Sequence, residues 1–243
     1  MVEEAIIIAG GMGRRIAGFH DDKPKGFITL DPGVPIVKQS IDKLLAAGIK
    51  RVIIGTGYHS EYYEELAKEY DCVETICNTN YANTGSMGTL EVAATIVKGD
   101  TLLLESDLIY EKSGLKVLLD SPFESAMLAS GTTHSGDEVY VEVDERECLV
   151  KLSKKREDIR ESFGELTGLT KLSHPALMAM CRYAEERHES KPRMEYEEAM
   201  SSIDLDVHVV KYDKFIWCEI DDPRQHANAM EKVYPAIKAA EQQ

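Results

Sequence analysis

Apolar residues along the chain fall into short runs that alternate with amphipathic stretches. The run at Glu4–Ala9 is β-branched and apolar, and it ends at Gly10-Gly11-Met12-Gly13, which predicts a buried strand feeding a glycine loop. Residues 38–47 carry Ile41, Leu44 and Leu45 at helical spacing, with Gly48 as the stop. Arg51–Thr56 reads as the next strand, followed by a turn at Gly57-Tyr58 and a helix over 60–70 with Ser60 as its N-cap. A strand over 72–77, a polar loop over 78–85, a helix over 86–97 and a strand at Thr101–Glu105 complete this rhythm. Strand and helix alternating at this spacing predict βαβ units and an α/β fold with a mainly parallel sheet.

Beyond about residue 121 the pattern changes. Short strands are expected at Ala126–Ser130, 138–143 and 148–152, then helices over 174–188 and 195–202. Strands at 207–210 and 215–219 lead into a terminal helix over 223–240, with Pro223 suited to its first turn. No Pro/Gly/Ser-rich linker interrupts the chain. The expectation is therefore one domain over 1–243, a nucleotide-binding half (1–120) and a half (121–243) that completes the pocket for a second substrate.

Charge narrows the ligand classes. A net charge of -15 argues against a nucleic-acid binder, which needs a basic face. It leaves a nucleotide open, because a few lysines, backbone N–H groups and a metal can hold one triphosphate. The apolar run at 5–9 is far too short to cross a bilayer, and no basic leader or cleavage site precedes it, so the expectation is a cytoplasmic protein without a membrane partner. Five scattered cysteines fit no zinc or redox spacing and read as reduced thiols.

Four clusters can carry chemistry. The glycines at 10–13 let backbone N–H groups approach an anion, and Arg14, Arg15 and Lys25 lie just downstream. The spacing is neither a Walker A loop nor a full dinucleotide fingerprint, and a tight turn alone would also explain the glycines. Asp107 follows the apolar strand Leu102-Leu103-Leu104, at the edge where open α/β sheets bind ligands. A second acid-ended strand, Trp217 to Asp222 (WCEIDD), offers another carboxylate for a metal that bridges phosphates. Each acid alone is equally a loop-edge or N-cap residue; two such strand ends in one chain favour metal binding. Gly85-Ser86 opens a helix whose free N–H groups could face a base or a phosphate, although a serine N-cap explains it too. Residues 151–156 form a basic run suited to an anionic acceptor or to solvent. The histidines show no ligand spacing.

As a set, these stretches resemble the sugar-nucleotide pyrophosphorylase-like nucleotidyltransferases with their Rossmann-like fold. Residues 55–58, 78–90 (NTNYANTGSMGTL), 104–108, 130–143, 164–173 and 217–222 resemble, more narrowly, bacterial cytidylyltransferases acting on 2-aminoethylphosphonate or phosphocholine. The resemblance implies that Arg15 and Lys25 contact the triphosphate of CTP, joined by the loop at Gly10, Gly11, Met12, Gly13 and Arg14. It implies that Asp107 and Asp221 hold Mg²⁺, and that Gly57, Tyr58, Gly85 and Ser86 surround the cytosine. Lys154 matches a lysine on the acceptor's phosphate. Arg14 departs from the family, where serine is usual. The acceptor's ammonium needs an acid or aromatic partner, for which Asp137, Tyr140 and Glu165 are the candidates.

The reaction implied is CMP transfer from CTP to 2-aminoethylphosphonate, with phosphocholine as the alternative acceptor. A quaternary ammonium favours an aromatic cage, and one tryptophan with five phenylalanines tilts the choice toward a primary amine. A non-catalytic nucleotide sensor on the same fold is the rival from another class; the presence of both Lys25 and Asp107 counts against it. A homodimer and a fusion to a second enzyme domain are both compatible with the sequence.

Overall fold

The computed structural model describes residues 2–13, 15, 23–31 and 33–242. A nine-stranded mixed sheet organises it. Strand β1 (Glu4–Ala9) sits inside this sheet because EAIIIA is apolar toward both faces, and all six residues are buried. A 3₁₀ turn at Lys25–Phe27 leads to the small hairpin of β2 (Thr29–Asp31) and β3 (Val34–Pro35) and to helix α1 (Ile36–Ala46). Then come β4 (Arg51–Thr56), α2 (Ser60–Ala67), β5 (Val73–Cys77), α3 (Ser86–Ala94) and β6 (Thr101–Glu105). β1 pairs in parallel with β4 and β6, and β4 with β5. The order β5-β4-β1-β6 therefore brings four carboxyl ends to one edge, with the glycine loop and Asp107 among the segments that leave it.

The second half extends the same sheet. After β7 (Leu108–Tyr110) and α4 (Ser113–Asp120) come β8 (Ala126–Ser130), β9 (Tyr140–Val143) and β10 (Leu149–Ser153). β11 (Gly164–Leu172) precedes α5 (His174–Glu185), α6 (Tyr196–Met200), β12 (His208–Lys211) and β13 (Trp217–Glu219). The last helical stretch is α7 (Pro223–Asn228), a π turn at Ala229–Val233, and α8 (Tyr234–Glu241). β11 pairs antiparallel with β6, β8 and β9, which makes the sheet continuous across both halves. Its register against β8 shifts between Leu166 and Thr170. Gly168 lies inside that break at φ +74°, and a Cβ there would stand 2.8 Å from Leu108, so the bulge requires glycine.

Alternation along β1 divides the core. Ile6 and Ile8 face a layer closed by α3, α5 and α6, while Ala5, Ile7 and Ala9 face one closed by α1, α2 and α4. Each fully buried Leu or Ile contributes ~1.5–3 kcal/mol. A third, smaller cluster packs Ile28 and Ile36 against Ala229 and Ile237 of the terminal helical stretch.

Several local features differ from the sequence reading. β7, α4 and β11 have no counterpart there. Ser60 is the first residue of α2 and not its cap: His59 holds the N-cap in the left-handed region at φ 54°, and Ser60 Oγ donates to Glu64. The five cysteines are all free thiols, as the spacings predict. No described helix is long and apolar enough to cross a membrane.

Glu4 fastens β1 to the entry of β6. Its carboxylate accepts from Arg51 at 2.6 Å and from the N–H groups of Lys98 and Gly99 at 2.7 and 3.0 Å. Burial pushes its pKa up, but those donors outweigh burial and hold it below the usual 4.5. A depressed carboxylate stabilises the fold above the unfolded pKa and loses that contribution as pH falls. Glu4→Gln should cost ~1–3 kcal/mol at pH 7. Denaturant melts should show the gap closing below pH 4.5; an equal gap at both pH values would sink this account.

Candidate active site

The site forms where distant strand ends meet. β7 pairs antiparallel with β13, placing Leu108 opposite Glu219, and Ile220 N–H donates to the Asp107 carbonyl at 3.1 Å. This short ladder sets the end of β6 beside the end of β13. Asp221 is oriented by its own N–H, which donates to Gln225 at 2.7 Å. Asp222 has a different job: it caps α7 by accepting from Gln225 N–H at 2.8 Å.

Lys25 lies between the two acids. Its ammonium donates to Asp107 at 2.9 Å and also to Asp221. Burial pushes this lysine toward neutrality, but Asp107 and Asp221 outweigh burial and raise its pKa, so it stays charged. Arg15 joins Asp221 and reaches Asp137 at 2.9 Å; Lys154 meets the other Asp137 oxygen at 3.0 Å. Burial pushes Asp137 up, but Arg15 and Lys154 more than offset this and lower its pKa. The two halves of the chain are thus linked by alternating charges at the sheet's carboxyl edge.

A bank of acids lies alongside. Burial first, then the charges of Asp107 and Asp221, push Glu219 up to about 8. Glu105 is raised well above the ordinary carboxylate range by burial and by Glu219 and Asp107, and it accepts from Tyr196 Oη at 2.8 Å. Burial also raises Glu197, to about 7.

Carboxylate oxygens of Asp137, Glu219 and Asp221 come within 4.8 Å of one another, an oxygen-donor set suited to a hard divalent cation. Of the two predicted ligands, Asp221 belongs to this group; Asp107 joins it through Lys25. That an ammonium already bridges Asp107 and Asp221 shows that these acids accommodate a cation.

Two cavities open beside the charged chain. One, of about 380 Å³, is lined by Gly10, Gly11, Met12, Gly13, Arg15 and Lys25 at one end and by Gly85 and Ser86 at the other, with Asp107 alongside. The second, of about 710 Å³, has Asp137, Glu165, Trp217, Glu219 and Arg224 in its walls. Asp137 and Glu219 thus connect the second cavity to the metal-type cluster.

Arg14 lies outside the described residues. Gly57 and Tyr58 stand behind the first cavity: Gly57 packs against Tyr81, which lines it, and the Tyr58 ring lies 6.3 Å from the Tyr81 ring. Tyr140 is half-buried, opposite Glu165 in register, and is not a lining residue of the second cavity. Ser86 is the first residue of α3 and not its cap; its N–H and Oγ are taken by Glu195 and by Tyr196 N–H, both at 2.9 Å. Glu105, Arg193, Glu195, Tyr196 and Glu219 went unassigned in the sequence reading. Glu105 and Glu219 carried a signal, each as an acid at the end of an apolar strand, Thr101–Glu105 and WCEIDD.

A parallel-sheet edge bearing a glycine loop, a charged lysine and a carboxylate cluster defines a phosphate-handling α/β enzyme of the nucleotidyltransferase class. Residues 5–141, more than half of the chain, match the MobA-like NTP transferase domain, and the chain belongs to that family. It is 27% identical over 181 residues to a 2-aminoethylphosphonate cytidylyltransferase of Lancefieldella rimae, covering 74% of this chain and 70% of that protein. It is 28% identical over 121 residues to a choline-phosphate cytidylyltransferase of Haemophilus influenzae, covering 50% of this chain and 49% of that one. Among solved structures, the inositol-1-phosphate CTP transferase from T. maritima shares the fold at a TM-score of 0.80 and 20% identity, covering 98% of this chain and 95% of that one.

Because Glu219 is pushed up to about 8, a cation binding beside it must displace a proton. Affinity for Mg²⁺ or Mn²⁺ should climb as pH rises toward 8 and fall as Glu219 protonates. Calorimetry in two buffers of different ionisation enthalpy should detect proton release on binding; identical heats would count against Glu219 as part of the cation site.

Proposed function

We propose that this chain transfers CMP from CTP to a small amino-phosphonate, with 2-aminoethylphosphonate as the best-supported acceptor and pyrophosphate as the other product. The observation carrying this reading is the meeting of two cavities at one set of charges. The first offers a glycine loop, Arg15 and Lys25 to a triphosphate, and the second contributes Asp137 and Glu219 to the same cluster. The choice of CTP and of the acceptor is supported by the Lancefieldella relative.

In this reading an acceptor phosphonate oxygen attacks the α-phosphorus as the bond to the leaving pyrophosphate breaks. The phosphonate is already ionised, so no general base is needed. Lys25 and Arg15 neutralise the triphosphate, and Lys154 meets the acceptor's oxyanion. Orientation of the two anions in one site contributes the rest. Asp107 and Asp221, with Glu219 and Asp137 nearby, would hold Mg²⁺, which supplies charge neutralisation to the phosphates.

The walls of the second cavity favour a primary ammonium. Glu165 brings a carboxyl group that is outside the proposed cation set, and it is fixed by Thr133 N–H and Oγ1 at 2.6 and 2.9 Å. A primary ammonium gives three N–H donors to such groups, whereas a trimethylammonium gives none and depends on ring faces. The rings here, Phe215 and Trp217, are largely buried, and Trp217 Nε1 is tied to Ser130 at 2.9 Å.

Pyrophosphate release with Mg²⁺ tests the reading. CTP with 2-aminoethylphosphonate should exceed CTP with phosphocholine or glucose 1-phosphate, and Lys25→Met or Asp107→Asn should lower kcat by roughly a hundredfold or more. Preference for phosphocholine would keep the chemistry and replace the acceptor. CTP binding without release from any acceptor would favour a sensor.

A further inference from the structure

The nucleotide cavity has a second wall that none of these roles uses. Residues 193–196 reach the loop ahead of α3 from more than a hundred positions along the chain. Arg193 donates to the Ala82 carbonyl at 3.0 Å, and the Met194 carbonyl accepts from Met87 N–H at 3.2 Å. Glu195 Oε2 accepts from Ser86 N–H at 2.9 Å, and Tyr196 N–H donates to Ser86 Oγ at the same distance. Gly85 makes the approach feasible, since a Cβ there would stand 2.2 Å from the Met194 carbonyl oxygen. Both Arg193 and Glu195 line the cavity, beside Tyr81, Ala82 and Thr84.

The cavity has a direction. Its phosphate end is the glycine loop with Arg15 and Lys25, so a nucleotide held there extends its base toward the 81–86 loop and this wall. At that end Glu195 has one oxygen committed to Ser86. Its Oε1 has no hydrogen-bond partner among the described residues. An ionised carboxylate can only accept. Cytosine carries an amino donor on ring carbon 4, where uracil carries a carbonyl acceptor.

We infer that Glu195 is a base-specificity residue: its free oxygen accepts from the exocyclic amino group of a 4-aminopyrimidine and repels the carbonyl of uracil. The inference rests on the proposed use of a pyrimidine nucleoside triphosphate. Ser86 and Arg193 position the carboxylate and its loop, and Glu195 touches the base.

Direct binding of Mg²⁺-CTP and Mg²⁺-UTP, measured by calorimetry, requires no acceptor. Wild type should bind CTP at least about tenfold more tightly than UTP, within the range of one hydrogen bond to a charged group. Glu195→Gln can keep an acceptor oxygen on Ser86 while presenting an amide donor, so the CTP-to-UTP ratio should fall about tenfold. Glu195→Ala should lose most of the ratio by weakening CTP. A purely structural role would weaken both nucleotides together. A preference for CTP that survives intact in both variants overturns this inference and leaves the proposed function standing. Equal affinities in wild type also overturn it, and no binding of either nucleotide overturns both readings.

Discussion

The ammonium of Lys25 between Asp107 and Asp221 is the constraint on which the site depends. Two carboxylates about 4 Å apart repel by about 4 kcal/mol at an effective dielectric near 20, so a cation must stand between them if both are to stay ionised. The chain supplies that cation from the turn after its glycine loop, and the β7–β13 ladder brings the two acids within its reach. Arg15, Asp137 and Lys154 extend the alternation into the second half. Among the described residues, the cations assigned to a phosphate, Lys25, Arg15 and Lys154, already have carboxylate partners, so an incoming triphosphate exchanges partners with these acids and does not meet bare positive charge there.

The parallel strands of the first half were legible because their signals are local. β1, β4 and β6 are contiguous apolar runs, and their parallel pairing follows from the helices between them. β11 escaped notice for an equally physical reason. Gly164–Leu172 carries Glu165, Thr167, Gly168, Thr170 and Lys171, which no apolar template selects, yet the whole strand is buried. Three of those polar side chains find partners, Thr133 for Glu165, the Leu128 carbonyl for Thr167 and Ser121 for Lys171, while the buried Thr170 hydroxyl has none among the described residues. Burial there is a tertiary outcome that hydropathy along the strand does not encode.

The site shows the same division. Lys25, Asp107 and Asp221 sit at strand ends and turns that announce themselves by pattern, and the structure brings them together. Asp137 was read as a partner for an ammonium, but its neighbours are Arg15 and Lys154, because loop placement sets which charges it meets. Ser60 was read as a helix cap from residue type alone, and for Ser86 a cap was the alternative to a base contact; neither is a cap, because His59 holds one N-cap position and Gly85 the other. Glu105 looked like strand-end punctuation and is a half-buried acid held by Tyr196 of α6.

The segment at 193–196 makes the chain less modular than its two-half layout suggests. It belongs by sequence to the second half, yet it closes the glycine-loop cavity and touches the loop before α3 through backbone and side chain alike. Exchanging second halves between relatives would therefore transplant a piece of the glycine-loop cavity as well. Recombination near residue 120 alters the walls of both cavities at the same moment, whereas point substitution in the walls around Glu165 changes the second cavity and leaves the first untouched.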